Sequence, residues 1–215
     1  MKTLSQKQDE NVKVIDFNTK YEPKPVTLTG QILSLEPLSL NHAVQLSEAA
    51  QSEEIWQHTL DKPRSVELMT AYIERALAEQ SKGTMLPFAV RHLKDNRIIG
   101  SSRYWEITPW RRGLQIGFTW FDPRYWGTNV NTESKYLLLK HAFEDLGTVR
   151  VEMQTSTQNT RAHQAILRLG AVEEGILRAR IVRPDGTRFD SIFFSILDNE
   201  WDSVKQRLET KLNLH

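Results

Sequence analysis

The chain has 215 residues, of which 39% are apolar and 26% charged, the balance of a single ordinary globular domain. Its 28 basic and 27 acidic residues leave a net charge of +1, too little for bulk electrostatic binding to nucleic acid or to an anionic membrane. Cysteine is absent, which excludes disulfides, thiolate catalysis and cysteine zinc sites. No run of about 20 apolar residues is long enough to span a membrane. The N-terminal stretch has acidic residues early and no apolar signal core, so a cytoplasmic protein is expected.

Residues 1–25 are polar and end in Tyr21-Glu-Pro-Lys-Pro25, which reads as an arm or extended lead-in. The domain is expected to run from 26 to 215. Val26 to Leu35 alternates loosely around Gly30 and predicts a first strand, closed by Pro37, and 39–50 predicts a short helix. Ser65 can cap a stronger helix whose apolar positions Met69, Tyr72, Ile73 and Ala76 share one face. Pro87 to His92 and Ile98 to Trp105 are β-rich and separated by Lys94-Asp95-Asn96, the pattern of a hairpin. Leu114 to Phe121 is a third β-rich run, closed by Asp122-Pro123.

A Gly/Asn/Thr loop from Trp126 to Thr132 leads into a helix to about Leu146, where Gly147 suits the stop. A strand over Val149 to Thr155 and a helix over 158–169 ending at Gly170 follow. Two late strands, about 171–183 and 188–197, are joined by Pro184-Asp185-Gly186. A last helix carries Trp201, Val204, Leu208 and Leu212 on one side. Antiparallel strands followed by a strand–helix–strand unit predict an α/β chain with a mixed sheet.

Two strand-to-helix junctions carry the chemistry. The first is Asp122-Pro-Arg-Tyr-Trp-Gly-Thr-Asn-Val-Asn-Thr132. A helix N-terminus leaves amide N–H groups unpaired and carries partial positive charge, so a small-residue loop entering it can wrap phosphate oxygens. Gly127 allows close backbone approach and Arg124 can add a charged contact. The loop is neither a Walker A nor a dinucleotide glycine motif. The alternative is an ordinary turn with Asn131 or Thr132 as N-cap. The second junction is Gln154-Thr-Ser-Thr-Gln-Asn159-Thr-Arg-Ala162, where Asn159 is a ligand or a cap.

In their order and spacing these motifs resemble the GNAT superfamily of N-acetyltransferases, and within it the RimJ/RimL-like branch of ribosomal-protein N-terminal acetyltransferases. The likeness is carried by Arg124-Tyr-Trp-Gly127-Thr-Asn129, by Gly127-Thr-Asn-Val-Asn-Thr-Glu133, by Asn159-Thr-Arg-Ala162 and by Leu169-Gly-Ala171. Glu174-Gly-Ile-Leu-Arg178, Asp185-Gly-Thr-Arg188, Asp190 and Glu200-Trp201 extend it over roughly 26–202.

The resemblance implies a splayed mixed sheet of about six to seven strands flanked by helices. It implies acetyl-CoA in the gap where the strand around 114–121 parts from that around 149–155. Backbone groups of Phe118, Thr119, Trp120 and Phe121 would contact the pantetheine arm. Arg124 and the amides of Trp126, Gly127, Thr128, Asn129, Val130 and Asn131 would hold the pyrophosphate. Asn159 and His163 would approach the cofactor from the other side.

The sequence departs from this pattern in three places. Asn129 stands where Gly or Ala is usual; Asn tolerates left-handed backbone angles. Gln115 stands where relatives carry a glutamate and cannot act as a base, and Ile166 replaces a tyrosine acid. The remaining polar candidates are Glu152, as base or as structural partner of a Lys or Arg, and Ser156, as thiolate donor or loop hydrogen-bonder. Trp105, Trp110, Trp120 and Trp126 line a cleft or pack the sheet, and Arg111-Arg112 attracts an acidic substrate or forms an exposed hairpin tip. No histidine pair has metal-ligand spacing, so no metal is expected.

The implied reaction is acetyl transfer to a primary amine, on a protein N-terminus or a small molecule, by a monomer or homodimer. The alternatives are a CoA-binding sensor without turnover and an acyltransferase using another acyl-CoA, whose acidic acyl group Arg103 or Arg111 would meet.

Overall fold

The computed structural model describes residues 20–59, 61–182 and 186–214. Most of the expected arm, residues 1–19, and Pro184-Asp185 of the expected turn lie outside them.

The expected first strand is two strands. Gly30 N–H donates to the Leu33 carbonyl at 2.9 Å, turning the chain between β1 (Leu28–Thr29) and β2 (Leu33–Pro37). A single-turn 3-10 segment at Leu40–His42 then enters α1 (Ala43–Ala49). Ser65 caps α2 (Val66–Ser81), its side chain accepting from the Leu68 N–H at 3.2 Å. Met69, Tyr72, Ile73 and Ala76 form its buried face, as the spacing predicts.

The hairpin β3 (Met85–His92) and β4 (Arg97–Thr108) turns through the Lys94-Asp95-Asn96 cluster, and β5 (Gly113–Phe121) follows antiparallel to β4. A crossover through α3 (Val130–Lys140), which runs on as a π turn over His141–Asp145, leads to β6 (Arg150–Ser156). The chain closes with α4 (Thr160–Leu169), β7 (Val172–Val182), β8 (Arg188–Leu197) and α5 (Trp201–Leu212).

All eight strands form one mixed sheet in the order β1-β2-β3-β4-β5-β6-β8-β7. That is one or two strands more than expected, the excess coming from the split at Gly30.

Strand alternation gives the sheet two unlike faces. One carries Leu33, Val90, Tyr104, Leu114, Ile116, Val151 and Phe194, and packs with Leu138 and Leu139 of α3 and Trp201 and Val204 of α5. The other is covered by α1 and α2 only over its first half, where Trp56, Met69 and Ile73 meet Ala89, Ile98 and Trp120. Over β5 and β6 that second face bears Gln115 and Glu152, in register with each other. Burying the first face on both sides of β5 fixes the register there, because a one-residue slip would exchange the faces.

Tyr21, assigned from sequence to the arm, is buried. Its hydroxyl lies 3.1 Å from Thr148 Oγ1, and Arg112 sits 5.8 Å from its ring centroid. A boundary at residue 25 therefore cuts Tyr21 from the core it fills. Glu133 ties the first hairpin to α3: its buried carboxylate accepts the N–H groups of Gln31, Ile32 and Leu33 at 2.8–2.9 Å. Among the described residues no helix is long and apolar enough to cross a membrane.

Candidate active site

β5 and β6 run parallel but pair only at Gly113–Arg150, Leu114–Val151 and Gln115–Glu152. Beyond Gln115 they part. β6 keeps its pairing with β8 to Ser156, and β5 keeps its pairing with β4 to Phe121. The β5 backbone from Ile116 to Phe121 therefore faces a gap on that side, an edge an extended ligand can extend; the Trp126 indole N–H covers its end, donating to the Phe121 carbonyl at 3.0 Å.

A β-bulge marks this edge. Arg103 pairs with Gly117 and Ser101 with Trp120, so one strand has an extra residue, and Phe118 takes a φ of 51°. The bulge puts Phe118 on the same face as Gly117, beside Trp105 at 5.3 Å. Gly117 is required there: a Cβ would lie 2.6 Å from Trp105 Nε1. Thr119, next along, turns to the opposite face, where its hydroxyl meets Ser102 Oγ at 2.7 Å and Lys135 Nζ at 2.5 Å.

At the open end of the gap lies the first strand-to-helix junction. Asp122 caps a 3-10 turn at Pro123–Tyr125, and Arg124 folds back on its carboxylate through Nε at 3.0 and 3.1 Å. Burial pushes the Asp122 pKa up, but these bonds and the Arg124 backbone N–H outweigh it and hold it below the usual range. The left-handed turn falls on Gly127, with φ 73°, and not on Asn129, whose backbone is already helical as the N-cap of α3. The helix thus starts earlier than the Asn131 or Thr132 cap considered from sequence. The Trp126 N–H is taken by the Pro123 carbonyl and that of Val130 by Thr128 Oγ1. The N–H groups of Gly127, Thr128, Asn129 and Asn131 have no partner among the described residues. Among the described residues nothing lies within 4 Å of where a Gly127 Cβ would project.

The second junction faces the first across the gap. Asn159 is an N-cap, its Oδ1 accepting from the Ala162 N–H at 3.0 Å, and His163 Nε2 lies 3.0 Å from Glu173 on β7. Arg161, not singled out from sequence, reaches across to place its guanidinium 3.7 Å from the Trp126 ring centroid. It therefore adds positive charge beside the loop amides.

On the second face, next to the parting, Gln115 Nε2 donates to Glu106 Oε2 at 2.6 Å and to Glu152 Oε2 at 3.2 Å. Glu152 is also tied through Oε1 to Arg150 Nε at 2.8 Å and lies 3.7 Å from Arg111. Arg150 in turn grips Glu174, which holds that carboxyl below its usual pKa and raises the arginine's own. Glu106 was not legible as a site residue. An irregularity between Trp105 and Thr108, with Glu106 at φ 47°, swings it onto the face of Gln115. It lines a cleft of about 370 Å³ with Met85, Trp105 and Thr108.

Ser156 is buried at the end of β6. Its Oγ accepts from the Gln158 N–H at 3.2 Å, which leaves its own proton to donate. Ile166, in the tyrosine position, is core. Of the tryptophans, Trp120 packs on Trp56 at 5.1 Å, Trp110 is 77% exposed, and Trp105 and Trp126 border the gap.

A mixed sheet whose two central parallel strands part and lead into two facing helix N-termini is the frame of this site. The chain belongs to the acetyltransferase (GNAT) domain family, whose model matches residues 33–172. Solved relatives have the same fold. An acetyltransferase structure from T. thermophilus is 33% identical with TM-score 0.80, over 88% of this chain and 98% of that one. A GCN5-related N-acetyltransferase from Brucella melitensis is 25% identical with TM-score 0.82, over 88% and 86%. Mycobacterium smegmatis RimJ, in complex with CoA-disulfide, is 23% identical with TM-score 0.74, over 87% and 95%, and shows the shared fold. Among curated proteins, YdaF of Bacillus subtilis (strain 168), which bears the name of a ribosomal N-acetyltransferase, is 26% identical over 113 residues. That stretch is 53% of this chain and 61% of YdaF, so the chain spans about three fifths of the curated relative it matches.

Proposed function

We propose that this protein moves the acetyl group of acetyl-CoA directly onto a primary amine, on a protein N-terminus or a small molecule, within one ternary complex. The observation that carries this reading is the β5 edge from Ile116 to Phe121, unpaired with β6 and ending at a loop with unpartnered amides. The pantetheine arm pairs along that edge through backbone groups of Phe118 to Phe121, other than the Phe121 carbonyl that Trp126 Nε1 already holds. The pyrophosphate lies on the N–H groups of Gly127, Thr128, Asn129 and Asn131, with Arg124 and Arg161 beside it. Asn159 caps the facing helix and shapes that side of the gap; His163, paired with Glu173, stands behind it.

The thioester then ends near Gln115, where the strands part. The amine nitrogen attacks the carbonyl carbon and a β5 backbone N–H takes the oxyanion charge. The carbon–sulfur bond breaks; the nitrogen gives up its second proton to water, and the departing thiolate is protonated through the Ser156 hydroxyl, which takes a replacement proton from that water. Glu106 and Glu152 together draw the ammonium form of the acceptor to this face. Glu152 is buried against Arg150, Arg111 and Gln115, whereas Glu106, held by Gln115 and by Arg180 at 3.3 Å, is the more exposed carboxylate, so the amine's proton leaves through water held by Glu106. Holding both substrates in line supplies several kcal/mol of the rate enhancement.

Gly127→Val tests the reading. The backbone there is left-handed and a branched side chain would occupy the space above the loop amides. Losing two charge-assisted contacts of about 1.5–3 kcal/mol each predicts at least a hundredfold weaker CoA binding by calorimetry. Equal CoA affinity in wild type and variant would remove the loop from the site.

A further inference from the structure

Arg103, on β4, is 4% exposed, yet its charge has no carboxylate partner among the described residues. Tyr72 and Phe118 sandwich its guanidinium, with ring centroids 4.3 and 4.6 Å from Cζ. Nη1 has only the Met85 thioether, at 3.5 Å. Nε and Nη2 are themselves buried and have no hydrogen-bond partner among the described residues. Both rings meet the cation through their π faces, which offer no hydrogen-bond acceptor to Nε or Nη2. Nε and Nη2 form the side-on fork of a guanidinium, whose two parallel N–H groups match a carboxylate. Elsewhere in this chain the same fork is filled in that way: Arg91 uses Nε and Nη2 on the two Glu36 oxygens at 2.6 and 3.0 Å.

Position supports a ligand. Arg103 pairs with Gly117, two residues along β5 from Gln115, and so lies on the same face, about 7 Å along the strand from the parting. Phe118, one of the two rings over the guanidinium, is 42% exposed, whereas Tyr72 is buried, so the Phe118 side is the one a ligand can approach. Met85 and Trp105, which touch Arg103 and Phe118, line the cleft that holds Glu106.

We infer that Arg103 binds a carboxylate carried onto this face by a substrate, and so sets specificity. The carboxylate belongs either to the amine acceptor, whose ammonium meets Glu106, or to an acidic acyl group on the donor. The assignment of the face to substrate rests on the function proposed above; the unfilled fork does not.

The experiment has two arms, each on wild type and Arg103→Met. In the first, thermal stability is measured with millimolar N-acetylglycine and succinate against N-acetylglycinamide and succinamide at matched ionic strength. We expect the acids, and not the amides, to raise the wild-type Tm by a few degrees, and neither to shift the variant. No difference between acid and amide in the wild type overturns the inference, whatever the variant does. So does an acid effect that survives in Arg103→Met. This arm needs neither turnover nor CoA binding, so failure of the proposed transfer reads separately, as absence of CoA stabilisation. In the second arm, kcat/KM is compared for alanine against ethylamine with acetyl-CoA, and for succinyl-CoA against acetyl-CoA with ethylamine. A tenfold or larger preference for the acid that disappears in Arg103→Met supports the inference and names its source, acceptor or donor. A preference kept by the variant overturns it.

Discussion

Lys135 offers a stability test that can be worked from its surroundings. It sits on α3, 7% exposed, with Nζ donating to Thr119 Oγ1 and no carboxylate paired to it among the described residues. Desolvation lowers its pKa from 10.5 to about 7. At neutral pH the unfolded chain keeps this lysine protonated while the folded chain holds only about half a proton. Because the folded value is depressed, the unfolded state binds more protons between pH 7 and 10.5, and stability rises with pH across that window. The cost of the buried amine is complete below about pH 7 and vanishes above 10.5. At about 1.4 kcal/mol per unit the 3.5-unit gap is worth at most about 5 kcal/mol, and about 4 at pH 7. Lys135→Met keeps most of the volume and removes the amine, so it should stabilise the protein by about 2–4 kcal/mol at pH 6 after the lost hydrogen bond is deducted. The assay is urea unfolding from pH 6 to 9.5. The wild-type curve should climb relative to the variant by about 1.4 kcal/mol per pH unit above pH 7.5. Parallel curves would refute the argument and mean that the amine stays protonated in the fold.

Glu106→Gln should lower kcat at least tenfold with CoA affinity unchanged, if the proton leaves through water on that carboxylate. Glu152→Gln, which leaves Arg150 and Arg111 short of a partner, should instead cost about 1–3 kcal/mol of stability with most turnover kept. Near-total loss of turnover in Glu152→Gln at unchanged stability would make Glu152 the base. Tyr21→Ala should cost about 2–3 kcal/mol by urea unfolding, since it empties a buried ring site and strands the Thr148 hydroxyl. A chain shortened to begin at Pro25 should show the same loss while still binding CoA; unchanged stability would mean that Tyr21 adds nothing to the core.

Where neighbours in sequence are the physical partners, the sequence alone determined the outcome. The α2 face of Met69, Tyr72, Ile73 and Ala76, the Ser65 cap, the stop at Gly170 and the buried side of α5 follow from helical period and capping chemistry, each acting within a few residues. The loop through Gly127 was legible from its small residues before a helix, but the residue that takes the left-handed turn was not: the sequence pointed to Asn129, and the structure places the turn on Gly127. The direction of Glu152 was not legible: strand alternation allows either face, and only pairing of Gln115 with Glu152 across the parting, with Arg150 and Arg111 alongside, decides it. Glu106 reaches the site through a pairing irregularity between β4 and β5, and irregularities depend on which strand lies opposite. Tyr21 looked like part of a polar arm because its partners, Thr148 and Arg112, lie far along the chain. Arg103 is an ordinary surface-type residue by composition. Its burial between Tyr72 and Phe118 exists only once α2, β4 and β5 meet, since desolvation is a property of the assembled surroundings and not of the local sequence.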